Sequence, residues 1–411
     1  MRKKVLSFTL AATMMAGCLA GCGNADSKNE GTTAAAGDSA TQAAASDDAI
    51  QNLIDATTGT VDLSVWASEE DQDLTTQVIE EFKKKYSDVD FNITLGAESE
   101  SKTKDDILVD VEAAPDVFAF ADDQINELVK AGALQPVQAT YTFDVAKENV
   151  AASIEAASVD GTLYAYPMTA DNGYFMFYDS SVFTEDDVQS MDAMIEAAKK
   201  ANKKIAMNVS DAWYVYSFFQ GAGLDLTLND DGLTNTCNWN QAGGTDVAQA
   251  ILDLFKTGVF VDMDDPTQAT AIAEGTICAA VNGTWRAADA EAAWGENYAA
   301  AKLPTYTVAG KQVQMASFSG CKLIGVNPHS KNVGWSSNIN ASESDEVKAD
   351  PAISALAAQA AYATPQRVGG NYWTPAETLG SILSQGNPDG TDLQTLLDNA
   401  VEGIEAPVSQ E

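Results

Sequence analysis

The 411-residue sequence predicts an α/β protein of about two domains. Three observations carry this expectation. Strand-like runs of alternating apolar residues take turns with amphipathic helical runs along nearly the whole chain. The part available for folding, about 360 residues, matches two domains of ordinary size. Hydrophobic residues make up 45% of the chain, ample for two cores, yet no run approaches the 18 or so apolar residues of a membrane helix.

The elements follow in order. Arg2, Lys3 and Lys4 make a positive start, and residues 5–17 carry no charge. That stretch is too short to span a bilayer but suits the apolar part of a secretory signal. Leu19-Ala20-Gly21-Cys22 follows and resembles the lipobox of bacterial lipoproteins. Residues 1–21 are therefore expected to be a cleaved signal peptide, with Cys22 the lipidated first residue of the mature chain. An ordinary signal with a chance cysteine is the alternative. Residues 23–49 hold no aromatic and no large aliphatic side chain. Such a segment buries too little apolar area to offset its chain entropy. Residues 22–58 are expected to be a disordered tether, holding the next domain roughly 30 Å from its anchor.

Val61, Leu63 and Val65 alternate with polar residues, a strand ending at Trp66. Leu74, Val78, Ile79, Phe82 and Tyr86 recur at helical spacing. Val89, Phe91, Ile93 and Leu95 alternate again. Strand, helix and strand within so short a span form a βαβ unit, which predicts a largely parallel sheet in the first domain. Pro115 precedes a strand from Asp116 to Phe120, and a short helix then stops at Gly132. Asp160-Gly161 is a turn before the strand Thr162–Tyr166, and Tyr174–Tyr178 is a further strand. Thr184 is read as the cap of a helix carrying Val188, Met191 and Ile195. Ile205–Asn208 reads as a strand and Trp213–Phe219 as an aromatic helix. Thr245 is read as the cap of a helix with Val247, Ile251 and Phe255. Thr276–Val281 is a buried strand leading into Asn282-Gly283-Thr284-Trp285.

Several chemistries lack the residues they need. The formal net charge of -37 argues against nucleic acid as a partner. The acidic excess reads instead as a solvated surface. His329 is the single histidine and sits beside Pro328 in a loop. It leaves no His-Cys-carboxylate set for zinc or iron and no supported Ser-His-Asp machine. No phosphate-binding glycine loop is present, and no cofactor is expected. Cys237, Cys278 and Cys321 allow at most one disulfide in the mature part. Cys278 and Cys321 could pair, but their apolar surroundings favour core thiols.

What the chain does offer is aromatic rings beside planar polar groups. Asp211 precedes Trp213-Tyr214, Asn282-Gly283 precedes Trp285-Arg286, Asp171-Asn172-Gly173 precedes Tyr174, and Asn371 precedes Tyr372-Trp373. A sugar ring has an apolar C–H face and an edge of hydroxyls. It is held by an aromatic plate and by carboxylate, amide or guanidinium groups around it. Any one of these rings could equally be ordinary packing.

At these clusters the chain resembles the extracellular solute-binding proteins of carbohydrate ABC importers, and among them the maltose- and maltodextrin-binding group. The segments that carry the likeness are Val61–Trp66, Pro115–Phe120, Asp160–Pro167, Gly275–Trp285 and Leu303-Pro304-Thr305. The resemblance implies a periplasmic-binding-protein-like fold with hinge strands, its lobes discontinuous in sequence, closing around a ligand in the cleft. The first lobe would hold residues 59–169 and 323–337, the second 170–322 and 338–411. The implied partners are an oligosaccharide and the permease subunits of an ABC importer. The implied receptor is a monomer and no enzyme, anchored at the outer face of the cytoplasmic membrane.

The resemblance also implies a site. Asp211, Trp213 and Tyr214 match the acid-x-aromatic-aromatic segment of the second lobe. Trp285 matches the stacking Trp after Asn-Gly, with Arg286 beside it, and Trp373 the C-terminal stacking Trp. Asp171, or Asn172 one residue later, matches the hinge-side acid. Glu70 and Asp71 fall on an Asp-Lys pair, so a basic residue is lost there. Asp123 and Gln124 fall on an Asp-Arg pair, and Glu377 stands where an Arg is expected. After Val326-Asn327-Pro328 the chain runs through Trp335 with about 30 residues fewer than the family, some two average helices with their loops. A less stable first lobe would follow.

The leading reading is a lipid-anchored receptor for maltose or maltodextrin. The same architecture could instead take another glycan or a polyamine, since acids at 71 and 377 suit a cation. A surface glycosidase needs only two carboxylates, but no pair is singled out here.

Overall fold

The computed structural model describes residues 47–137, 144–332 and 351–407. The signal, Cys22 and the shortened stretch at Trp335 lie outside the described residues. Two five-stranded sheets organise the rest. The first is built from β1 (Thr60–Ala67), β2 (Asp90–Ala97), β3 (Val117–Ala121), β4 (Tyr166–Thr169) and β10 (Lys322–Val326), in spatial order β2-β1-β3-β10-β4. The second is built from β5 (Phe175–Asp179), β6 (Lys204–Met207), β7 (Phe260–Asp262), β8 (Ile277–Asn282) and β9 (Tyr298–Ala301), in order β7-β6-β8-β5-β9.

The βαβ unit is present: β1 and β2 are parallel and joined by the helix Gln72–Lys85. β3 also runs parallel to β1. The sheet as a whole is mixed rather than largely parallel. β10 returns from the second lobe and runs antiparallel between β3 and β4. Its register places Lys322 opposite Ala121 and Thr169, at the edge of the sheet that faces the second lobe.

Each sheet is covered on both faces, and the period-two alternation of its strands explains how. In β5 and the residue before it, Tyr174, Met176 and Tyr178 point into one core, while Phe175 and Phe177 point into another. In β6, Ile205 and Met207 join the first core and Ala206 the second. In the first lobe, Phe118 and Phe120 of β3 face one core and Val117 the opposite one. A strand buried on both faces has no polar side to show, and these read as continuous apolar runs.

Four local expectations change. Thr184 does cap, exchanging hydrogen bonds with Asp187, but around a short 3-10 turn, Asp187–Gln189. The helix itself is Met191–Ala201, because Ser190 is extended and breaks the run. Thr245 lies inside the helix Gly244–Lys256, which starts after Gly243 at φ +97°. The expected strand Thr162–Tyr166 is two pieces. Thr162–Leu163 closes a hairpin with Ser158–Val159 through Asp160 and Gly161, both at positive φ as a tight type I′ turn requires. Tyr166–Thr169 pairs separately with β10.

The fourth change is at the N-terminal side. Asp47–Ala56, expected to be tether, is a helix. Its Ile50, Leu53 and Ile54 pack on the core that lies under β1 and β2. Three aliphatic residues on one face suffice to dock a short helix whose own propensity could not hold it. Cys237, Cys278 and Cys321 are all buried free thiols.

Two crossings join the lobes among the described residues, and a third segment braces them. Residues 170–174 connect β4 to β5, and residues 319–322 lead back into β10; Asn172 N donates to Gly320 O at 3.2 Å. The short strand Ser317–Ser319 pairs in parallel with Ala363–Pro365. Beyond it, Gln366 N donates to Ser319 O at 2.8 Å, and Arg367 reaches the first lobe, donating to Glu155 O at 2.9 Å. At the far edge, Asn126 Nδ2 donates to Gly232 O at 3.0 Å.

Candidate functional site

A cleft of about 550 Å³ lies between the sheets at their facing edges. Its second-lobe wall is aromatic. The helix Ala212–Gly221 begins there because Asp211 caps it, accepting from Trp213 N at 2.8 Å. The cap points the first turn into the cleft. Tyr174 and Tyr372, buried beneath, donate their hydroxyls to Trp213 O and Ala212 O at 2.9 and 2.6 Å. That fixes the backbone from which Trp213 projects.

Trp285 follows the end of β8. Gly283 makes its position possible, since a Cβ there would lie 2.0 Å from the indole ring. Trp213 and Trp285 stack with centroids 5.9 Å apart and planes at 28°. That separation leaves no slot for a sugar between them. The pair lines the cleft as one aromatic wall. Both indole N–H groups are engaged: Trp213 Nε1 with Gln366 Oε1 at 3.0 Å, Trp285 Nε1 with Asp265 Oδ1 at 3.4 Å. Trp373 lines the same cleft from the start of the helix Trp373–Ser384. That helix is brought close by Gly380, where a Cβ would lie 2.1 Å from Val209 O.

The polar rim is largely acidic. Glu70, Glu100, Asp105, Asp123, Asp211 and Asp265 line the cleft, against Lys102, Lys104 and Lys322. Burial pushes the Asp211 carboxyl up to about 6, against the Trp213 N–H, and the charges of Glu377 and Asp262 add to the rise. Burial also raises Asp123 well above the usual carboxylate range, with its neighbour Asp122 adding to the effect. Burial would raise Asp265 too, but hydrogen bonds from Arg286 and Asn282 hold it below that range.

The expected residues fall into two groups. Trp213, Tyr214, Trp285, Trp373, Asp211, Asn172, Glu70, Asp123 and Gln124 all line the cleft. Gln124 does so with both ends of its amide committed to backbone, accepting from Lys104 N and donating to Glu100 O. The other four are set back from the lining. Asp171 is buried and accepts from Thr284 Oγ1 at 2.8 Å, so Asn172 is the one of the pair that faces the cleft. Asp71 accepts from Lys322 Nζ at 3.1 Å. Arg286 is engaged by Asp265 and Asp289, and so holds the carboxylate that holds Trp285. Glu377 is exposed on its helix.

The loss of a basic residue at the Glu70–Asp71 pair is offset in the structure. The basic residue missing beside Glu70 and Asp71 is supplied from elsewhere. Lys322, at the head of β10, places Nζ 3.1 Å from Asp71, 3.3 Å from Glu100 and 4.0 Å from Glu70. Sequence reasoning also passed over Glu100, Lys104, Asn208, Asp265 and Gln366. Only Lys322 carried a signal, a charge opening the apolar run Leu323-Ile324-Gly325-Val326.

Comparison with known proteins follows the same lines. A family model for bacterial extracellular solute-binding proteins matches residues 77–334. The maltotriose-binding protein of Pyrococcus abyssi (strain GE5 / Orsay) is 25% identical over 229 residues, which are 54% of this chain. The match spans about half of that relative, 49% of its length. A solved structure with acarbose aligns at 28% identity with a TM-score of 0.74, covering 84% of this chain and 99% of the other. The maltodextrin-binding domain from Bdellovibrio bacteriovorus bound to maltotriose aligns at 18% identity and a TM-score of 0.71, over 84% of this chain and 99% of its own. This second likeness is one of fold.

Proposed function

Since the chain belongs to the bacterial extracellular solute-binding protein family, we propose that it captures a maltodextrin in the cleft between its lobes and delivers it to an ABC permease. The aromatic wall of Trp213 and Trp285 carries this reading. Aromatic rings with carboxylates and amides around them suit the C–H face and hydroxyl edge of a glucose ring. A relative named for binding maltotriose and a structure solved with acarbose support the choice of ligand. Lobes of residues 59–169 with 323–337, and 170–322 with 338–411, would close on the sugar, except that β10 already begins at Lys322. The protein binds and releases its ligand unchanged. The Leu19-Ala20-Gly21-Cys22 motif supports anchoring through Cys22 at the outer face of the membrane. Cys22→Ser should then abolish incorporation of labelled fatty acid into the protein; labelling that persists would overturn the anchor.

Isothermal titration with maltotriose and longer maltodextrins tests the ligand. Heat of binding is expected with at least one of them, and no heat with any neutral oligosaccharide would overturn the reading. Affinity should also depend on pH, with a defined sign. Asp211 in the free protein titrates near 6, and its carboxylate is the form that accepts hydroxyl hydrogens. Affinity should rise as pH increases through 6 and fall below it, by at most about tenfold per pH unit. In the free protein the sign is opposite. The raised carboxyl contributes stability below its ordinary 3.8 that is lost as pH rises to about 6. Asp211→Asn should flatten the binding profile. The acid excess of the cleft favours one second reading, a cationic ligand; spermidine that displaces maltotriose would support it.

A further inference from the structure

We propose that Gln366 is a positioning residue that sets the plane of Trp213 from the hinge. Its side chain is 2% exposed and stands between the two lobes. Nε2 donates to Asp122 Oδ1 at 2.6 Å, and Oε1 accepts from Trp213 Nε1 at 3.0 Å. Asp122, 2% exposed, immediately follows β3 of the first lobe. The same Oδ1 accepts from Cys321 N at 3.0 Å, in the crossing that leads to β10. One short chain of hydrogen bonds therefore links the first lobe and the 319–322 crossing, through the bracing segment at Gln366, to the cleft ring of the second.

The direction of the amide is not free. An indole N–H can only donate, and the Asp122 Oδ1 that faces the amide is the oxygen already accepting from Cys321 N. Oxygen must face Trp213 and nitrogen must face Asp122. Flipping the amide would break both bonds at once. The backbone is held as well, since Gln366 N donates to Ser319 O at 2.8 Å. Gly320 leaves the required space: a Cβ there would lie 2.5 Å from both Asp122 Oδ1 and Gln366 Nε2. Bonds in such a buried chain reinforce one another, so the ring's tilt depends on how the hinge segments sit. The stacking surface is then complete only when the crossings are in register.

This inference rests on the cleft being the sugar site, so its test has a readout that needs no sugar. In 15N-labelled protein, the Trp213 indole signal is identified by its loss in Trp213→Phe. Its hydrogen exchange is expected to be at least about tenfold slower than that of an exposed indole. Gln366→Met, which keeps length and loses both polar atoms, should abolish that protection. Gly320→Ala, which displaces the amide without removing it, should reduce it. In titrations with maltotriose, Gln366→Met should weaken binding roughly tenfold, matched by Trp213→Phe, with the double variant no worse than either. Losses that add, or an unchanged Trp213 exchange rate in Gln366→Met, would overturn the proposal. If Gln366→Met does not fold, Gly320→Ala and Trp213→Phe decide the same two points. Protection present in a protein that binds no oligosaccharide would defeat the functional reading and leave this one standing.

Discussion

Lys322→Met is expected to destabilise the protein by about 3–5 kcal/mol at pH 8, the cost of leaving buried charges without their partner. Lys322 is 9% exposed and is the cation shared by Asp71, Glu100 and Glu70. Glu100 is 7% exposed. Burial already raises its carboxyl above 4.5, and Lys322 is the main influence holding it down. Without the lysine, Glu100 must either stay charged in a site that cannot solvate it or take up a proton. The pH dependence follows. A carboxyl raised further in the folded state is harmless when protonated and costly when ionised. The variant should approach wild-type stability at pH 5 and lose most at pH 8. Urea denaturation at both pH values checks this. A loss under about 1 kcal/mol at pH 8 would show that water, not Lys322, neutralises the cluster.

The second large effect is on binding. Trp285→Ala should weaken maltotriose affinity by about 1–3 kcal/mol, a range measured for bases stacked on aromatic side chains and applied here to a sugar ring. The ring is half-buried and stands at the cleft, so its removal takes away contact surface rather than core. Its support should survive, because Arg286 and Asn282 still engage Asp265. Thermal unfolding should therefore change little while titration heats fall. Equal affinity in Trp285→Ala and wild type would mean that ligand seats elsewhere in the cleft.

The sequence was most readable where a local pattern decides the structure. β5 is apolar from Phe175 to Tyr178 because both of its faces are covered, and its neighbour β8 is apolar from Ile277 to Val281 for the same reason. Trp213, Trp285 and Trp373 could be picked out because each follows a polar turn, and all three line one cleft. What escaped depends on pairing across long separations. Lys322 and Asp71 lie 251 residues apart, and Trp213 and Gln366 lie 153 apart. No spacing rule connects them; the return of β10 and the hinge pairing do. Asp171 and Arg286 were credited with touching ligand because type and position matched, yet a neighbouring hydroxyl or carboxylate claims each side chain. Asp47–Ala56 was missed because three aliphatic residues in under two turns look like the end of a polar segment until a surface is there to receive them.

That short helix has a mechanical meaning. Any load arriving along the chain from its N-terminal side enters the molecule at the edge of β1 and β2, through Ile50, Leu53 and Ile54. Were the chain held from that side, the first lobe would be the fixed frame, and bending between the lobes would swing the second. Trp213, Trp285 and Trp373 would then ride on the moving part, while Lys322 and its acids would stay with the frame. In a protein held this way, the rings are carried to the charges.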